Sequence, residues 1–456
     1  MVLTPRARFS ASKESMRAAF ALLVLLAASP PVAALAPGAD GVRITIPISG
    51  SDDIAMAGAL DASGNVIMAG YAASGFSALA SITRAGALNT AFGTNGVEPH
   101  DFSNGGDALR ALVAVGDGTF AGCGVTFGTG TGNDFLIARF MGDGTLDTTF
   151  AGSGFVGVPF LPSGSGGVLD DECDAVAVQA DGMIVAAGYS AANGPNQVAL
   201  TRYTADGDID TGFGDNGLVV INASQGATGN SEAHAIAVQP DGKLVIAGFA
   251  GGQFNDELLL MRLNADGSPD GTFGTGGITR TGIGTGEDRA NAMVLLPNGS
   301  MVVAGSTVAS DNRRDFVVAR FTSGGALDTT FGTGGFTTTP VGPGDDIAYS
   351  LTLMPWGQLI AAGSARISTS AAGTDLALIS YNANGSIDRY FGNLGVVMLD
   401  VSNGNDVVNG LVKDIDGQHF WAVGTAEPTA SQDFLAVEFG LDDTIFRHGF
   451  DSNTAP

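Results

Sequence analysis

At 456 residues the chain exceeds what one ordinary hydrophobic core organises, so it needs either several domains or an architecture that grows by repetition. A hydrophobic content of 45%, a charged content of 14% and 69 glycines exclude a disordered chain and suit short strands joined by tight turns. With 46 Asp and Glu against 20 Lys and Arg, nucleic acid and anionic lipid are excluded as natural partners, because both need basic side chains to neutralise phosphate.

Residues 1–36 read as a secretory signal peptide. Arg6, Arg8, Lys13 and Arg17 precede an apolar run from Ala18 to Ala28, and Ala34, Leu35 and Ala36 offer a cleavage point; Met16 is an alternative start. Removing this segment takes away four basic residues and Glu14, leaving 16 basic against 45 acidic residues, about −29. The apolar run is too short to cross a bilayer, and no later stretch reaches the roughly 18 apolar residues that would. The expectation is a secreted chain, extracellular, periplasmic or on the cell surface, monomeric and not membrane-embedded. Export would place Cys123 and Cys173, the two cysteines, where a disulfide persists.

Next comes a short strand pattern at residues 42–48, followed by tandem repeats. A phrase of the form Leu-Asp-Thr-Thr-Phe-Gly, with another glycine three residues on, recurs with its phenylalanines at Phe92, Phe150, Phe213, Phe273, Phe331 and Phe391. The steps are 58, 63, 60, 58 and 60 residues, a period of stacked supersecondary units. The fourth copy is the clearest. Residues 233–239 alternate small and apolar side chains before a Pro-Asp-Gly turn, residues 243–248 and 257–263 supply two more strands, and a fourth lies near residues 277–282. In the phrase, Asn89, Asp147, Asp210, Asp270, Asp328 and Asp388 are of the type that bonds back to turn amides, while the phenylalanine buries its ring between neighbouring sheets.

The second strand ends in a glycine seven times, at Gly70, Gly122, Gly188, Gly248, Gly305, Gly363 and Gly424, but the linking phrase occurs six times. The last unit, ending at residues 433–439, therefore lacks its fourth strand, and residues 42–48 can supply it. The fold expected is all-β: a seven-bladed β-propeller of four-stranded blades over residues 37–440, closed by an N-terminal strand joining the last blade, with a C-terminal tail at 441–456.

The Leu-Asp-x-x-Phe-Gly phrase and the Gln-x-Asp-Gly-Lys-Leu-Val-x-Ala-Gly phrase at residues 239–248 resemble the delta-60 repeat family of secreted and surface bacterial proteins. That resemblance spans residues 42–440 and implies a propeller, without implying a chemistry. The tail at 443–451 also resembles a short C-terminal tag of some secreted bacterial proteins.

In such a ring the loops before the first strand and between the second and third strands share one face. The latter vary freely here, at residues 126–133, 191–196, 306–314 and 364–374, which makes that face the expected ligand surface. Eleven positions before each first-turn glycine stand Asp53, Asp107, Asp171, Ser231, Asp288, Asp346 and Asp406, an acidic ring expected at the channel mouth. Its carboxylates could hold Ca²⁺ or a basic ligand; alternatively each caps its own turn. Cys123, at the end of a second strand, and Cys173, near the start of the next first strand, fall near this face on neighbouring blades, so a disulfide and two buried thiols both fit.

No catalytic constellation is read from the sequence. His100, His234, His419 and His448 are scattered without zinc-ligand spacing, and no nucleophile elbow or phosphate loop occurs. Residues 128–136 loosely echo one copy of a calcium-binding β-roll nonapeptide. The carboxylate pairs Asp52 with Asp53 and Asp345 with Asp346 are adjacent in sequence, which does not set the spacing a glycosidase needs. The leading function class is a non-enzymatic binding module for an extracellular protein, peptide or glycan. The alternatives are a hydrolase or lyase acting at the channel mouth and a structural surface component.

Overall fold

The computed structural model describes residues 43–440, apart from residues 50, 73–74, 104, 129–131, 161–169, 193, 227–228, 253–254, 367–372, 403 and 429–430. The signal-peptide reading at 1–36 and the tail at 441–456 lie outside the described residues, as do parts of three of the variable loops.

Seven antiparallel sheets of four strands each are formed. Blades 1 to 6 take residues 53–100, 108–158, 171–221, 231–281, 288–339 and 347–399, and blade 7 takes residues 407–440. The fourth strand of blade 7 comes from the N-terminus: Arg43–Ile46 pairs antiparallel with Asp433–Gly440, with Ile44 opposite Ala436 and Ile46 opposite Phe434. Closure therefore runs as the strand count requires. No open strand edge is left between the ends of the described chain.

Burial follows position in the blade. Second and third strands, flanked by a neighbouring blade on each face, are apolar or small throughout, as in Leu244–Gly251. First strands alternate, as in Asp171–Val178, because one side meets the axial channel. Seven apolar cores result, each shared by two adjacent blades, including one that joins Ile46 and Met68 to Trp421 and Phe434 across the closure. The six phrase phenylalanines are each at most 2% exposed within these cores.

The repeated phrase also rivets blade to blade. Asp270 accepts bonds from Thr272 N and Oγ1 through one oxygen and pairs with Arg262 at 2.7 Å through the other. Arg262 lies 4.7 Å above the ring of Phe273 and donates to the Ser323 carbonyl of the next blade. Arg202 and Arg320 repeat all three contacts, with Asp210, Phe213 and Ala265 and with Asp328, Phe331 and Ala383. Gly274 N donates to Gly324 O, so backbone joins the same seam.

One reading of the repeat is corrected. In blade 2 the second-strand glycine in register with the others is Gly124, opposite Leu109, and not Gly122. Cys123 accordingly sits within Phe120–Gly128 and does not end it.

Candidate binding site in the axial channel

The acidic ring is buried, and its oxygens face the loops that enter each first strand. Asp53 accepts from Ile48 N, Ser49 N and Ser49 Oγ, and Asp107 from Phe102 N, Ser103 N and Ser103 Oγ. Asp288 accepts from Ile283 N and Gly284 N, Asp346 from Val341 N and Gly342 N, and Asp406 from Val401 N, Ser402 N and Ser402 Oγ. Asp171 accepts from Phe160 N, and Ser231 Oγ from Ala223 N. These side chains hold each entering loop closed; none of them lines the channel cavity. The acids one position earlier clamp the preceding blade, with Asp52 Oδ1 accepting from Gln432 N and Asp345 Oδ1 from Arg314 N. Both members of each adjacent pair thus have structural partners.

Burial raises the carboxyl pKa of Asp171, Asp346 and Asp406 despite these amide donors. Two places gather three metal-type ligand atoms within 4.8 Å among the described residues. One, Asp414 with Asp416 and His419, already pairs with the Arg84 guanidinium. The other, Asp375 with Asp400 and Asp406, is where the ring comes nearest to a calcium-type ligand set.

Cys123 and Cys173 form a disulfide with Cα atoms 5.8 Å apart, linking blades 2 and 3. Of the stretch echoing a β-roll nonapeptide, residues 132–136 lie in the strand Gly132–Phe140, with Gly132 opposite Gly128.

The channel is lined by a different set, three residues after each ring position. Every first strand carries a register shift there, leaving one residue unpaired: Met56, Arg110, Asp174, His234, Asn291, Tyr349 and Asn409. A β-bulge re-aims the extra residue, and all seven line one cavity of about 520 Å³. The second-strand glycines make the bulge sterically feasible, since a Cβ on Gly248 would lie 1.9 Å from Glu232 O and one on Gly305 the same distance from Arg289 O. This ring escaped the sequence reading. Its signal was present as one large or polar residue between small neighbours at a fixed offset, as in Ala233-His234-Ala235 and Ala290-Asn291-Ala292.

The ring is chemically lopsided. In blades 2 to 4 Arg110 pairs with Glu172 at 2.6 Å and Asp174 at 3.1 Å, while His234 meets Glu232 at 3.3 Å. Asn291 donates to Ala348 O, which turns its carbonyl oxygen toward His234 Nδ1 at 3.3 Å. Both imidazole nitrogens therefore face acceptors, an arrangement that suits the imidazolium. Burial pushes the His234 pKa down, but Glu232 and Asp174 outweigh it and the net shift is upward. Burial raises Asp174, aided by Glu172 and Glu232, against the pull of His234 and Arg110. Glu232 is lowered: burial opposes ionisation, and bonds from His234 and Asn196 overcome it. The Tyr189 phenol is pushed up by burial and by Glu172. On the other side, Met56, Gly58, Gly410 and Leu411 present a neutral wall.

Four segments, residues 116–150, 179–213, 239–273 and 296–331, match the family model described as a β-propeller domain of unknown function, DUF5122. No curated protein matches the chain. Among solved structures, the WD40 repeats of RRP9 share 9% identity at a TM-score of 0.52, over 88% of this chain and 98% of that one. Virginiamycin B lyase from Staphylococcus aureus aligns at 13% identity and a TM-score of 0.45, over 87% of this chain and 98% of that one. Polysaccharide lyase Uly1 aligns at 11% and 0.47, over 87% and 91%. With the sheet topology, the four family matches make the chain a β-propeller repeat protein.

Proposed function

We propose that the chain is an exported, non-catalytic binding propeller of the delta-60 kind, taking a protein, peptide or glycan ligand on the face where the channel cavity meets the variable loops. One observation carries this reading. Strand pattern, turn chemistry and glycine placement repeat from blade to blade, whereas the seven bulged residues pointing into one cavity are Met, Arg, Asp, His, Asn, Tyr and Asn. Variation among the residues lining a shared cavity, beside variable loops on a scaffold that otherwise repeats, is what specific recognition requires. A hydrolase or lyase would need a base free to accept a proton. His234 has acceptors at both ring nitrogens and is not placed as that base, which leaves the cavity carboxylates Glu172, Asp174 and Glu232 as the groups a hydrolase or lyase would use. The interblade disulfide suits an oxidising compartment.

The test is a glycan and peptide array probed with the intact chain and with a Tyr349→Ala/Asn291→Ala variant. Retained ligand that the variant loses supports the channel reading. Ligand bound equally by both places recognition elsewhere, and cleaved array members make the chain an enzyme.

A further inference from the structure

The joint between blades repeats in its backbone. In blades 1 to 5 the amide after the phrase phenylalanine donates to the turn between the third and fourth strands of the next blade, as Gly274 N does to Gly324 O and Gly332 N to Asn384 O. The acceptor stands seven residues after the third-strand residue that faces the second-strand glycine: Val317, opposite Gly305, precedes Gly324, and Ala377, opposite Gly363, precedes Asn384. In blade 7 Leu435 faces Gly424, so the counterpart is Asp442. Blade 6 holds the matching donor, since the φ of Gly392, 52°, falls within the 48° to 57° of the other five. The register persists in sequence to Ile445, the counterpart of Leu327 and Ile387, and breaks at Phe446, which stands where the phrase has Asp328 and Asp388.

Blade 6 differs from its sisters at the same joint. Two exposed positions of its phrase, small or polar in every other copy, are Tyr390 and Leu394. At 75% and 67% exposed they are the most exposed large hydrophobic side chains among the described residues. Leu394 also has a φ of 56°, a conformation that Asn and Gly take readily and leucine only at a cost. A bare leucine gains nothing against that strain, whereas a covered one does. We propose that residues 441–450, outside the described residues, run back over the seam of blades 6 and 7 as an intramolecular latch, with Asp442 O accepting from Gly392 N and the Phe446 ring laid on Tyr390 and Leu394. Six residues from Gly440 reach roughly 20 Å, more than the ~10 Å between packed sheets. Asp443 takes the place of the turn glycine, and because a Cβ on Gly325 would meet the Phe273 ring at 2.7 Å, the latch stands slightly off Phe391. It lies on the face opposite the variable loops, so it stands or falls apart from ligand binding in the channel.

Trypsin reads the latch directly, because Arg447 follows Phe446 and cleavage there releases residues 448–456, a loss resolved by mass. Under native conditions the intact chain is cut at this site at least about tenfold more slowly than a Tyr390→Thr/Leu394→Asn variant, with melting temperature as the folding control. Both replacements are residues that other copies carry at those positions. Phe446→Ser releases the site to the same degree; it lies outside the blades and keeps the test open should the double variant melt early. Equal cutting of the parent and either folded variant overturns the proposal. So does protection that fades on dilution, since the tail would then be seated on a second copy of the chain.

Discussion

Ala151 stands where the other copies of the phrase carry glycine, and its φ of 53° falls within the 48° to 57° of Gly93, Gly214, Gly274, Gly332 and Gly392. An L-residue in the left-handed region costs roughly 1–2 kcal/mol, so Ala151→Gly should stabilise the protein by about 1 kcal/mol in denaturant unfolding. Asp346 offers a second test. Its Oδ2 accepts two loop amides, burial still raises its pKa, and its charge adds to the burial that raises Asp315. A carboxyl whose folded pKa is raised contributes stability that is complete at low pH and lost as pH rises through that pKa. Asp346→Asn keeps the amide acceptor and removes the charge. It should melt higher than the parent at pH 7, with the advantage vanishing as pH falls below the ordinary carboxyl range; a lower melting point at pH 7 would contradict this. At this scale the turn acids were legible in sequence because Asp147 and Asp270 bond within two residues of themselves. The arginine rivets were not, because Arg262 reaches a carbonyl 61 positions away.

Strands show why the channel ring went unread. A bulge exists only in the pairing of two strands, and at Ala233-His234-Ala235 it depends on the Glu232 carbonyl approaching Gly248. The glycine was visible as a repeated letter, but the geometry it permits was not. Gly248→Ala would put a Cβ 1.9 Å from that backbone oxygen, forcing the bulge out of register at a cost of several kcal/mol. The same substitution at Gly122, which lies outside the bulge contact, should cost clearly less in the same unfolding assay. The acidic ring was misplaced for a related reason. Counting from turns located Asp53 and its counterparts correctly at the strand entrances, but only the backbone path shows their carboxylates turned back onto loop amides. The disulfide ties two elements with a sequence separation of 50, which on loop-entropy grounds contributes about 4 kcal/mol. Reduction, or Cys123→Ser with Cys173→Ser, should lower unfolding stability by roughly 2–4 kcal/mol; an unchanged denaturation midpoint would show that the link constrains nothing.

Over the whole molecule the period, the blade number and the closing strand were all readable, because the count of second strands exceeds the count of linking phrases by one and an unassigned strand pattern at residues 42–48 stands ready to supply the missing strand. What the ring encloses was not, since a cavity assembled from seven residues spread from Met56 to Asn409 leaves no local mark in the chain. The closing pair completes blade 7 and adds Ile46 to the core that blades 7 and 1 share, beside which the channel is closed. Oxidising an Ile44→Cys/Ala436→Cys variant measures this directly, since the two positions face one another across the closing pair. Closure predicts near-complete formation of that cross-link in the folded protein, with its melting temperature raised; free thiols persisting under oxidising conditions that leave the fold intact would contradict it.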